Sequence, residues 1–167
     1  VSFPITIKIR TEQPPDVTVR GWRDITKTAH RDQADHWRKR MLPTHFQSGA
    51  ASKYGYRPRK ASTIARKRRD AARGLAVAGG RLILVWSGNF RASSKHATVR
   101  AYPTRGRVDF NAPAYAPIRQ RTNRQPPIAD EATRVNQSEA KALTDLLESG
   151  VVRGIARNRE TRTETLS

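Results

Sequence analysis

The sequence predicts an α+β fold: a small antiparallel sheet with a β-hairpin, packed by a long N-terminal helix and a C-terminal helix, with extended arms at both termini. Three observations predict it. Apolar residues alternate over 3–10 and again over 97–111, the period of half-buried strands. A helical stripe of Trp22, Ile25, Ala29, Trp37 and Met41 runs through the first quarter of the chain. A second stripe, Ala140, Leu143, Leu146 and Leu147, follows a helix-start signal at Asn136.

Each element has its own justification. Phe3, Ile5, Ile7 and Ile9 share one face of a strand, with Thr6, Lys8 and Arg10 opposite, and Gln13-Pro14-Pro15-Asp16 breaks it. The first helix is expected over 22–42, with Asp24 as N-cap and Arg38, Lys39 and Arg40 in a last turn that favours cations. Pro43 stops it. Gly49, Gly55 and Pro58 oppose a long element over 44–58, and Ser62 is placed to cap a short helix through Ala72. Leu82–Trp86 reads equally as a buried strand or a core segment, and Ser87-Gly88 as a tight turn. A hairpin follows, Ala97–Tyr102 and Arg107–Asn111 around Pro103-Thr104-Arg105-Gly106. Residues 119–127 form a long Gln/Arg/Asn/Pro-rich loop. In the closing helix Asn136 and Glu139 make a box-like start, and Gly150 is the expected stop. The organisation is one domain over 1–156 and a polar arm over 157–167, which should not order by itself.

Composition limits the function classes. Only 36% of the 167 residues are apolar, so much of the chain must be solvated or covered by something other than itself. There is no cysteine, which excludes disulfides and thiolate metal sites. The longest apolar run, Leu82–Trp86, is far too short to span a bilayer, so no membrane partner is expected. No secretory leader is expected either, since Val1-Ser2-Phe3-Pro4 lacks a basic start and a long apolar region.

The formal charge is +19, from 33 Lys+Arg against 14 Asp+Glu. Residues 53–73 carry nine bases and one acid, and residues 91–124 eight bases and one acid. Residues 130–148 reverse the balance, with five acids and two bases. A field of this kind repels itself, and a polyanion or an acidic protein surface relieves it.

No residue set points to catalysis or to a cofactor. His30 and His36 are six apart, the wrong spacing for a shared metal on one helix face, and His45 reads as a packing or turn residue. Ser87 lacks the flanking glycines of a nucleophile elbow. Gly79-Gly80 lacks the Lys-Ser/Thr of a phosphate loop. Asp32 and Asp35 are better read as ion-pair partners for Arg31, Arg38 and Lys39. We therefore expect no enzyme, no metal and no cofactor. The remaining signal is basic. Arg57, Arg59, Lys60, Arg66, Lys67, Arg68, Arg69 and Arg73 are read as facing DNA phosphate without sequence readout. Tyr54 and Tyr56, beside the basic patch, could stack on single-stranded nucleic acid, but with Trp86 and Tyr115 they are read as subunit-interface anchors, because aromatic residues are enriched at interface hot spots.

The order of these pieces carries a resemblance. Leu42-Pro43-Thr44-His45-Phe46 is followed by Lys53-Tyr54-Gly55-Tyr56-Arg57-Pro58-Arg59 and the basic Ala65–Arg69. Then come Leu84-Val85-Trp86-Ser87-Gly88, the hairpin, Pro113-Ala114-Tyr115 and the closing helix. This succession resembles the neck and tail-completion (head–tail joining) proteins of tailed bacteriophages, of the tail-component and virion-morphogenesis type. The chain departs from them in being more basic and in a Gly/Ala-rich insert over Ala76–Gly80. The resemblance implies a structural virion protein that forms a ring in the head–tail connector and lines the DNA channel. It implies self-association as a hexamer or dodecamer, with the head connector or portal on one side and the tail tube or tail terminator on the other. Genomic DNA would pass non-specifically through the ring. The place would be the virion neck, after assembly in the host cytoplasm. Charge alone supports the alternative, a non-specific nucleic-acid-binding protein.

Overall fold

The computed structural model describes residues 2–5, 17–75, 84, 88–110 and 128–166. The protein is α+β. Its elements run β1 (Ser2–Ile5), α1 (Val19–His36), a π-helical turn (Trp37–Met41), a 3-10 turn (Leu42–Phe46), α2 (Ala50–Tyr54), α3 (Ala61–Ala72), α4 (Asn89–Lys95), β2 (Thr98–Tyr102), β3 (Arg105–Asp109), α5 (Ile128–Ala132) and α6 (Gln137–Leu166). The strands form one sheet in the order β1-β3-β2. The chain divides into two compact units, one drawn from 38–98 and 109–136, the other from 2–37, 99–108 and 137–167.

In the second unit α1 and α6 pack along each other. α1 starts five residues before the expected Asp24 cap. Thr18 has the extended backbone a cap needs, and its Oγ1 accepts from the Gly21 N–H at 3.1 Å. Asp24 lies inside the helix on its exposed side. The expected stripe is present, with Ala29 buried and Trp22 and Ile25 half-buried beside it. The polar residues that interrupt the stripe are buried too. Thr26 donates back to the Trp22 carbonyl at 2.9 Å, and Gln33 Nε2 donates to the Leu143 carbonyl at 3.0 Å. Both of these buried side chains are thus given a partner.

α6 departs from expectation at three places. Leu143, Leu147 and Val151 are buried, whereas Ala140 is exposed and Glu139 takes an inward position. Gly150 does not end the helix, which continues through Gly154 and over the expected arm to Leu166. The reason is packing. A Cβ on Gly150 would stand 3.2 Å from Ala29 Cβ, and one on Gly154 would stand 2.6 Å from Ile25 Cγ2. These glycines are spaced four apart so that the α6 backbone can approach α1, a use separate from helix capping.

The hairpin differs by a shift of the turn. Arg105 and Gly106 belong to β3, and the loop is only Pro103-Thr104. Gly106 lies against α1, where a Cβ would be 2.6 Å from the His30 carbonyl oxygen. Glycine is required there by close approach.

In the first unit the core is aromatic. Phe46 and Phe90 meet edge-to-face at 5.4 Å, and Phe110 lies 5.7 Å from Phe90. Pro43 opens the 3-10 turn that follows the π turn, a position where its missing N–H is harmless. Gly88, at φ +85°, precedes α4, so the positive φ expected at the Ser87-Gly88 pair is present, but a helix follows it. Of Leu82–Trp86 only Leu84 is described, a buried turn residue. Residues 6–16 and the loop 119–127 lie outside the described residues.

Candidate nucleic-acid interface

The basic segment 57–73 resolves into two chemically different sets. α3 begins after Lys60 rather than at a Ser62 cap. Thr63, Ile64, Lys67, Asp70 and Ala71 fall on the helix's inner stripe at three- and four-residue spacing. Arg66, Arg68, Arg69 and Arg73 are exposed, as are Arg57 and Lys60 ahead of the helix. Arg66, Arg69 and Arg73 stand at i, i+3 and i+7 and form one ridge. A strip of Ala61, Ala65 and Ala72 separates that ridge from Arg68. The ridge extends about 10 Å along the helix axis. Arg66 leans towards Asp70 at 3.9 Å, a loose pair at the surface, where water screens the attraction.

Two of the eight expected phosphate-facing residues are turned inward. Lys67 is 5% exposed, and burial, followed by the neighbouring Arg59 guanidinium, holds its ammonium below the usual lysine range. Arg59 is tied to Glu131, whose side chain is fully buried. That pair fastens the segment before α3 to α5. The structure therefore makes Arg59 and Lys67 internal residues and corrects their assignment to a DNA-facing surface. A helix that must pack one face cannot present charge all round.

The tyrosines are also placed inside. Tyr54 and Tyr56 are 6% and 5% exposed. Tyr54 stacks on the His45 ring at 3.8 Å between centroids, and its hydroxyl bonds Thr44. The Tyr56 hydroxyl bonds His45 Nδ1. Arg134 then donates to the carbonyls of Tyr54 and Gly55 at 3.4 and 2.7 Å. Both rings are used up within the chain's own core, leaving little area for a neighbouring subunit. His45, 1% exposed, is a packing residue, in line with the sequence expectation. Trp86 and Tyr115, the other interface candidates, lie outside the described residues.

Sequence reading missed a second basic ridge. Arg20, Arg23, Lys27 and Arg31 are all exposed on α1 at i, i+3, i+7 and i+11. Beside them Asp24, Thr28 and Asp32 line a shallow groove of about 390 Å³ with Arg153, Arg157 and Asn158 of α6. The helical spacing of those four bases was the available signal. It was masked because the acids interleave with them in the linear sequence.

Among the described residues no group of three or more His, Asp or Glu is placed to hold a metal ion. Among the same residues no helix is long and apolar enough to cross a membrane. Comparison with protein-family models, curated proteins and solved structures returns no match.

Proposed function

We propose that this chain is a structural virion protein of a tailed bacteriophage, a neck subunit that joins its own copies into a ring around the DNA channel. The observation that carries the reading is the exposed basic set on and before α3: Arg57, Lys60, Arg66, Arg68, Arg69 and Arg73. Such a surface can bind phosphate through counterion release, an attraction independent of sequence, which suits a conduit. The long first helix, the hairpin and the closing helix stand in the order of the family that the sequence resembles. In this reading the ring is a hexamer or dodecamer with heterologous, closed contacts. Its neighbours are the head connector or portal and the tail tube or tail terminator, and it performs no catalysis.

The mass of the purified full-length protein, with particle symmetry in micrographs, tests the ring. A closed oligomer of six or twelve copies is the expected result. A stable monomer that still binds DNA supports the alternative, a free non-specific nucleic-acid-binding protein, which the same basic face would serve. Replacing Lys60, Arg66, Arg68, Arg69 and Arg73 with Gln is expected to weaken duplex binding equally for all sequences. A loss confined to particular sequences would refute a backbone-only contact.

A further inference from the structure

The β2–β3 hairpin carries a basic surface that the reading of α3 leaves unexplained. With a two-residue loop at Pro103-Thr104, position 102 faces 105, 100 faces 107 and 98 faces 109. Thr98 Oγ1 reaches the Asp109 carbonyl at 3.5 Å, in keeping with that register. Strand alternation then sorts the side chains. Gly106 and Val108 are buried, with Val99 and Ala101 half-buried beside them, and Gly106 lies on the His30 carbonyl of α1. The other face holds Thr98, Arg100, Tyr102, Arg105, Arg107 and Asp109. That face has three guanidiniums against one carboxylate.

The arrangement is more specific than a charge count. Arg105 lies over the Tyr102 ring, its guanidinium carbon 5.3 Å from the centroid, and Tyr102 keeps 39% of its surface exposed. An arginine stacked on an aromatic face is held in orientation while its N–H fork stays outward. Arg105 and Arg107 project from the same side of β3 about 7 Å apart, the scale on which phosphates follow one another along a strand.

We propose that this outer hairpin face, Arg100, Tyr102, Arg105 and Arg107, is a contact surface for the phosphate backbone of duplex DNA. The proposal rests on the reading that the chain borders DNA, and adds a second contact, independent of α3. Phosphate is favoured because the face holds three guanidiniums against one carboxylate, two of them about 7 Å apart on β3 and one stacked on Tyr102.

The test uses the full-length protein and a random-sequence 30-base-pair duplex, with binding followed by anisotropy across a salt series. Abolishing one phosphate interaction reduces the slope of log K against log[salt] by about 0.9. Arg100→Gln, Arg105→Gln and Arg107→Gln together are expected to reduce it by about 2 to 3. The single variant Arg105→Glu, at an exposed site, is expected to weaken binding as well and guards against misfolding of the triple variant. If wild type binds, and the α3 variant loses slope while both hairpin variants keep it, the hairpin contact is overturned and the α3 contact stands. If wild type shows no salt-dependent binding at all, the hairpin proposal falls together with the DNA-channel reading.

Discussion

Gly154 of α6 faces Ile25 of α1 so closely that a Cβ on the glycine would lie 2.6 Å from Ile25 Cγ2. One turn earlier on α6, Gly150 faces Ala29, one turn later on α1. The pairings run in opposite directions along the two helices, so the helices are antiparallel. Further along, Gln33 reaches the Leu143 carbonyl. The two long helices are thus held by close backbone approach and a buried polar bond, around Ala29, Leu147 and Val151.

Gly154→Val should force the helices apart. Overpacking of this kind costs about 1–3 kcal/mol. Ile25→Ala in the same chain should recover part of that loss, because it removes the atoms the new side chain meets. A double-mutant cycle from urea denaturation measures the coupling. Strictly additive effects would contradict the contact.

Gly106→Ala should be costly in a different way. The new Cβ meets a backbone oxygen, His30 O at 2.6 Å, as well as Ala34 Cβ at 2.8 Å. A backbone atom cannot rotate aside, so a loss at or above about 3 kcal/mol is expected, the upper end for overpacking. Ala34→Gly should therefore fail to rescue it. Full rescue in thermal melts would show that only the side-chain contact matters.

The Arg59–Glu131 pair should behave as a buried ion pair. Arg59→Met leaves the fully buried Glu131 carboxylate without its cation, at a cost of about 3–5 kcal/mol. Replacing both, as Arg59→Met with Glu131→Leu, should cost less than the single change, since no charge is then stranded. Denaturant midpoints of the three proteins decide this.

Acid should weaken the protein through His30. Burial pushes this imidazole below its ordinary value of 6.5, and its bond to Gln33 only partly opposes that. Gln33 spends its N–H on Leu143, so its Oε1 accepts from His30 Nδ1–H at 3.4 Å, which fixes the neutral tautomer. The unfolded chain then takes up a proton before the folded one. The stabilisation is complete above about pH 6.5 and declines as pH falls through the folded-state value. His30→Gln should flatten the stability profile between about pH 7 and 5. An unchanged profile, measured by urea denaturation across that range, would refute the assignment.

Several elements were legible because their signals are local. The alternation from Val99 to Val108 marks a hairpin, Asn136 directly precedes α6, and Gly88 takes the positive φ expected of it. Glycine roles were hidden where their cause is distant in sequence. Gly150 reads locally as a helix stop and Gly106 as part of a turn, yet both are small because α1 runs against them. The basic segment was visible as charge. Its division into exposed Arg66, Arg69 and Arg73 and internal Arg59 and Lys67 was not, since that depends on which face of α3 is packed.

By itself the sequence determined the α+β class, the strongly positive balance and the positions of the main helices and the hairpin. These follow from period, composition and turn chemistry, which act over a few residues. Tertiary structure alone decided that Tyr54 and Tyr56 belong to the core, that α6 runs on to Leu166, and which arginines meet solvent. Those outcomes depend on contacts between residues far apart in the chain, where burial of one face fixes the exposure of the other.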